Sequence, residues 1–236
     1  MAVRFMLLMP WGRVGSNLLF AILRQSAPMK LANESLNALR TADEQASWFG
    51  DFYETDAPAP PHAFIGSKQN MLAMRDDARM AGAIRDAGVR VVRLRRRNLV
   101  KAAVSQIRAE QYAQKMERET GERPWAVKKG RPTLGPSTVD PDLLVKRIGI
   151  MEGCDRRLSD AFAPAEALDI EYEDINASLD AVVGRLRDHL GVPQTAFKVP
   201  FDKATPNRLE DAIVNFAEVR ARLAGTDYAQ QLGVEC

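Results

Sequence analysis

Two short stretches carry residue types and spacings suited to anion chemistry. The first is PWGRVGSNLL, residues 10–19. Gly12 and Gly15 permit close backbone approach, Ser16 offers a hydroxyl and Arg13 a planar cation. They lie between an apolar run and a helical pattern, so turn N–H groups and a helix N-terminus converge on one spot, an arrangement that favours an anion. The lysine of the usual nucleotide pattern, G-x-x-x-x-G-K-[ST], is absent: Asn17 follows Ser16. The second stretch is RLRRRNLVKAAVS, residues 93–105. It sets Arg93, Arg95, Arg96 and Arg97 near a strand end, where alternate residues point opposite ways, so the four cannot share one ligand. Asn98 reads as a helix N-cap, and Ser105 lies two helical turns further on. The competing readings are a plain strand-to-helix turn and a solvated basic edge. Together the stretches suit a ligand with two separate anionic groups.

The elements that position these stretches follow from apolar periodicity. Val3–Met9 is an apolar run interrupted only by Arg4, as in a strand buried on both faces. Leu18, Leu19, Ile22 and Leu23 fall on one helical face. Residues 40–62 are mixed and end in a proline-rich connection, APAPPH. Residues 63–68 form a short strand, and a Met-rich helix runs on to about Ala87, with Met71, Met74 and Met80 in the core. Residues 89–94 form a strong strand, and Val100, Ala103, Val104 and Ile107 resume helical spacing. Residues 110–140 read as a partly helical flap or insert. Asp140-Pro141-Asp142 is a helix start, continued by Leu144, Ile148, Met151 and Leu158. Residues 167–172 form the next strand, Leu179–Leu190 a helix stopped by Gly191 and Pro193, and a last helix spans about Leu209 to Leu223. Strands alternating with helices predict an α/β domain with a central parallel sheet and helices on both faces. Ligands of such sheets sit beyond the carboxyl ends of the strands: after Met9, after Leu94 and after Tyr172.

Composition sets limits. The chain has 236 residues, enough for one α/β domain, with 46% apolar and 27% charged residues. A net charge of +2 gives no general case for nucleic acid or membrane binding, so an anion site must be local. Cys154 and Cys236 lack metal-ligand spacing, and isolated cysteines fit a reducing cytoplasm. The apolar start is too short for a signal peptide and reads as a first strand. No run reaches membrane-spanning length.

The motifs taken together resemble a known family. GRVGSNLL is similar to the 5′-phosphosulfate loop of sulfotransferases that use 3′-phosphoadenosine 5′-phosphosulfate (PAPS). RRNLVKAAVS resembles their 3′-phosphate motif, an arginine followed eight or nine residues later by a serine. IEYEDI at 170–175 and KATPNRLEDAIVNFAEVRARLAGTDY resemble later segments of bacterial members, most of all carbohydrate sulfotransferases of the nodulation-factor and trehalose-modifying type. The likeness covers most of the chain, least at 40–62 and 110–140. It implies a single P-loop-like three-layer α/β/α domain over 1–236, transferring a sulfuryl group from PAPS to a carbohydrate or small-molecule hydroxyl, without metal.

The resemblance also implies roles. Gly12, Arg13, Val14, Gly15, Ser16 and Asn17 hold the 5′-phosphosulfate, and Arg13 meets charge on the leaving oxygen where many cytosolic relatives have lysine. Arg96, nine residues before Ser105, or Arg97, eight before it, takes the 3′-phosphate with Ser105. Glu34, in KLANESLN, matches a segment whose glutamate faces the acceptor hydroxyl and is the candidate base; a solvated glutamate is the competing reading. Lys68 either enters the cleft or is solvated. Trp11 reads as packing, Glu173 and Asp174 as capping, and His62 as structural. His189, near a helix C-terminus, is expected to favour the imidazolium and has no catalytic role. Two rivals stay open: a kinase or NTPase on the same type of fold, opposed by the missing lysine and Mg²⁺ signature, and a non-catalytic protein that binds an anionic ligand or partner.

Overall fold

The computed structural model describes residues 2–53, 64–127, 129–130, 133–163, 167–202 and 205–233. His62 and Cys236, and the proline-rich connection, lie outside the described residues. The chain divides into two compact units, one of Met1–Arg95 with Gly153–Lys198, the other of Arg96–Glu152 with Val199–Cys236.

The first unit holds the whole sheet: β1 (Val3–Met9), β2 (Met29–Asn33), β3 (Phe64–Asn70), β4 (Arg90–Arg95) and β5 (Ala167–Glu171). All neighbours pair in parallel, in the order β2-β3-β1-β4-β5. β1 is central, and the chain builds one side of the sheet before crossing to the other, so the topological switch lies at the carboxyl end of β1. Phe5, Leu7 and Met9 face one side and pack with Leu19, Ile22 and Leu23 of α1 (Ser16–Leu23) and with Val182, Val183 and Leu186. Met6 and Leu8 face the other side and are equally buried. That double burial is why β1 reads as an apolar run, unbroken from Phe5 to Met9. The Phe5 ring lies over Gly66, its register partner on β3, where any Cβ would stand 2.1 Å from the ring.

Several elements differ from expectation. Residues 29–33, with no apolar run, form edge strand β2, and the mixed stretch contains α2 (Ala42–Tyr53). Tyr53 is drawn inward because its hydroxyl bonds Phe5 O at 2.7 Å and Ser67 Oγ at 2.8 Å. The Met-rich helix is shorter than predicted: α3 spans Asp77–Asp86, capped by Asp76, whose carboxylate accepts from Arg79 N, while Met71 and Met74 are buried in the preceding turn. β5 stops at Glu171, and Tyr172 opens a short helix, α6 (Tyr172–Ala177), with Glu173 and Asp174 at its positive end. The helix α7 (Leu179–Leu190) ends at Gly191 in the left-handed region, as its glycine predicts.

The second unit contains α4 (Leu99–Thr120), most of α5 (Pro141–Ala161) and α8 (Phe216–Leu223). α8 is also shorter than predicted: Leu209–Asp211 is a 3-10 turn, and Asn215 breaks the run by bonding both backbone groups of Val139. Asn98 caps α4 through Lys101 N, and Asp140 caps α5 through Asp142 N and Leu143 N, both as expected. Of residues 110–140, the first eleven belong to α4. Residues 134–137 are held by the buried Arg108, whose guanidinium donates to Leu134 O, Gly135 O and Ala212 O.

Candidate active site

The first unit gathers its polar side chains where the strands end. After β1 the chain turns through residues 10–15, with Arg13 at φ 73° and Gly15 at φ 81°. Gly15 cannot be replaced cheaply: a Cβ there would lie 2.7 Å from Ile175 Cδ1 and 3.3 Å from the Tyr172 ring. Val14 is buried beneath the loop, and Ser16, also buried, opens α1. α1 carries no acid in its first turn, so the positive end of its dipole keeps its full pull on an anion.

Lys68, on β3, is only 1% exposed. Its ammonium donates to Asn17 Oδ1 and pairs with Glu34 Oε1 at 3.0 Å. It thus links the loop after β1 to the turn after β2. Burial lowers its pKa, the Glu34 charge pulls it back up, and the Arg13 charge lowers it further, which puts Arg13 within electrostatic range. Lys68 belongs to the interior of the site rather than to solvent.

Glu34 follows β2 and holds φ 50°. Its N–H donates to Lys68 O at 2.7 Å, extending the β2–β3 ladder by one residue. Its Oε2 accepts from Asn37 Nδ2 and Asn70 Nδ2, each at 3.2 Å. Two buried glutamines support the turn: Gln69 Oε1 accepts from Leu36 N, and Gln45 Nε2 donates to Leu36 O and Ala73 O. Arg13 and Glu34 are the two non-glycine residues with positive φ among the described residues. Such conformations cost on the order of 1 kcal/mol or more and persist where surrounding structure enforces them.

The arginine run separates by role. Arg93 is buried and bonds Asp169 in a two-pronged pair, with Nε to Oδ1 at 2.7 Å, and also donates to Phe162 O. Arg95 pairs with Asp155 at 3.2 Å and donates to Ser159 Oγ. Both are structural. Arg96 and Arg97 begin the second unit, the first half-buried and the second exposed. Ser105, on α4 and 5% exposed, receives a hydrogen bond from Thr205 Oγ1 at 3.4 Å. His189 departs from expectation. Burial, with help from Arg90, lowers its pKa, outweighing the bond of Nε2 to Val91 O, so the neutral imidazole is favoured.

The sequence reading missed Asn37, Asn70 and the link from Lys68 to Asn17. Their signal is positional: Asn37 follows β2, which does not read as a strand, and Lys68 and Asn70 stand at the carboxyl end of β3, which runs two residues beyond the strand read at 63–68. Among the described residues, no group of three His, Cys, Asp or Glu is placed to hold a metal ion, and no helix is long and apolar enough to cross a membrane.

The fold is the P-loop-like α/β architecture found in sulfotransferases. The chain overlays a sulfotransferase from Alicyclobacillus acidocaldarius at TM-score 0.50 and 15% identity, covering 94% of this chain and 95% of that one. Looser overlays are to the sulfotransferase domain from the curacin biosynthetic pathway (TM-score 0.45, 15% identity, 98% and 83% covered) and mouse sulfotransferase SULT7A1 complexed with PAP (TM-score 0.43, 12% identity, 83% and 62% covered). No protein-family model and no curated protein matches the chain.

Proposed function

We propose that the protein is a sulfotransferase that moves a sulfuryl group from PAPS to an acceptor hydroxyl, on a carbohydrate or small metabolite. One observation carries this reading. The two residues expected to do the chemistry, Arg13 and Glu34, are the two non-glycine residues held at positive φ among the described residues. Backbone strain confined to two polar residues, Glu34 paired with Lys68 and Arg13 within electrostatic range of it, supports a site built for a task rather than a solvated surface.

In this reading Gly12–Asn17 hold the 5′-phosphosulfate through loop N–H groups, the α1 dipole and the Ser16 hydroxyl. Arg96 or Arg97, with Ser105, takes the 3′-phosphate. Sulfuryl transfer is expected to resemble phosphoryl transfer, with a loose in-line transition state that builds negative charge on the bridging oxygen of the leaving nucleotide. Arg13 neutralises that charge as it develops. Glu34 accepts the proton of the attacking hydroxyl. Lys68 holds Asn17 on the donor loop and Glu34 on the acceptor side in fixed relation, and so aligns the two halves of the reaction. A sulfuryl group carries one fewer negative charge than a phosphoryl group, so an arginine, hydroxyls and N–H groups suffice where a triphosphate site uses a loop lysine and Mg²⁺.

Radiolabelled PAPS offered with a panel of sugars, lipids and small alcohols tests the proposal. Label on an acceptor is the expected result. Phosphoryl transfer from ATP that returns with Mg²⁺ after chelation supports a kinase instead; nucleotide binding with no transfer of either group supports a binding protein.

A further inference from the structure

The hydrogen bonds around Glu34 say more than that it is held. They run in one direction from a single backbone group. Asn70 closes the turn after β3, where its Oδ1 accepts from Ala73 N at 3.0 Å. An N–H can only donate, so the side-chain atom facing it must be the oxygen, and the amide orientation is settled. Asn70 Nδ2 is thereby aimed the other way, at Glu34 Oε2 at 3.2 Å and Asn37 Oδ1 at 3.0 Å. The bond to Asn37 Oδ1 in turn aims Asn37 Nδ2 at the same Glu34 Oε2, at 3.2 Å. Asn70 is 4% exposed, and this orientation cannot be lost to water.

A carboxylate has about four lone-pair sites, two on each oxygen. The asparagines take both on Oε2, and Lys68 takes one on Oε1. Among the described residues one site is left, on Oε1, beside the lysine that also holds the donor loop. We infer that Asn70, assisted by Asn37, is a positioning residue that blocks Glu34 Oε2 and leaves Oε1 to receive the acceptor's proton. The inference rests on Glu34 being the base.

Asn70→Asp is the informative change. It keeps an oxygen for Ala73 N and so keeps the turn, but replaces the amide donor with a second carboxylate oxygen against Oε2. Asn37→Ala removes the other donor at an exposed position and tests the same idea where the fold is not at stake. The full chain is assayed with labelled PAPS and an acceptor from the panel, and adenosine 3′,5′-bisphosphate (PAP) affinity is read by calorimetry. Asn70→Asp is expected to lower kcat by about tenfold or more, with the KM for PAPS and the affinity for PAP changed less than about twofold, since a misaligned base slows the step without loosening the donor. Asn37→Ala moves kcat in the same direction by less. In the Glu34→Gln background neither change costs anything further, because there is no base left to position. A fall in kcat of the same size with and without Glu34 makes Asn70 a structural cap and overturns the inference alone. An active wild type indifferent to Glu34→Gln removes the base itself, and the inference with it. Should Asn70→Asp fail to fold, the Asn37→Ala cycle with Glu34→Gln decides by the same criteria.

Discussion

Arg13 and Glu34 invite opposite tests because one is proposed to meet charge and the other to take a proton. Glu34→Gln keeps shape and hydrogen bonding but cannot act as a base near neutral pH. It is expected to slow transfer by roughly 10²–10⁴-fold while PAP affinity by calorimetry stays near wild type. Wild-type turnover on a good acceptor would end the assignment. At Arg13 the side chain and the backbone separate. Arg13→Ala and Arg13→Gly both delete the guanidinium, and each is expected to lower kcat far more than nucleotide affinity, since charge on the bridging oxygen grows only as the bond breaks. They differ in the backbone: alanine must still hold φ 73°, which glycine adopts freely. The glycine variant should therefore be more stable than the alanine variant by about 0.5–1 kcal/mol in denaturant melts. Equal stabilities would mean that the loop relaxes and stores no strain.

At the scale of elements, two short turns do the positioning. Gly15 sits between α1 and α6 with no room for a methyl group and at a φ that L side chains avoid. Gly15→Ala is expected to cost about 1–2 kcal/mol in thermal or denaturant unfolding, from backbone strain and the forced shift of Ile175. It should also weaken PAP binding; unchanged stability and affinity would show that the turn tolerates a different path. The start of α4 carries the other anion-binding proposal. PAP is expected to bind at least about ten- to a hundredfold more tightly than AMP, because charge-assisted bonds from Arg96 or Arg97 and from Ser105 act only on the 3′-phosphate. Equal affinities in calorimetry would sink that assignment. The legibility of these elements tracks their burial. β1 and β4 were readable because both faces are covered and their residues are mainly apolar and β-branched or bulky, Arg93 being the one interior interruption of β4. β2 was not, because it is a half-exposed edge strand, and α2 was hidden because Gln45, one of its few fully buried residues, is polar. Missing β2 also concealed Asn37, whereas Asn70 was missed because the strand read at 63–68 runs on to Asn70. Glu34 and Lys68 were named from the sequence, but their ion pair depends on the parallel register that sets Asn33 against Lys68.

Across the first unit as a whole, stability should depend on pH through His189. Its pKa lies below the ordinary imidazole value in the folded chain, chiefly through burial. Folding therefore favours the neutral ring. The resulting stability is present above the unfolded pKa, about 6.5, and is lost as pH falls through the folded value. Thermal midpoints are expected to fall between about pH 7 and 5, and His189→Gln should shrink that fall, glutamine keeping a donor for Val91 O without a titrating charge. An undiminished slope would place the acid sensitivity elsewhere.

The pairing of Arg93 with Asp169 also bears on how the chain is made. β4 ends at Arg95, and its neighbour β5 does not begin until Ala167. At synthesis rates of about 5–20 residues per second, the β4 edge of a nascent sheet stands open for roughly four to fourteen seconds. An apolar edge of that kind invites a strand from a neighbouring chain. Here a guanidinium sits in the middle of the edge and makes a foreign apolar strand a poor match. When β5 emerges, Asp169 is the register partner of Arg93, and a slip of one residue would turn its carboxylate to the other face. The same charge that keeps the unfinished sheet from pairing with the wrong strand then selects the right one and sets its alignment.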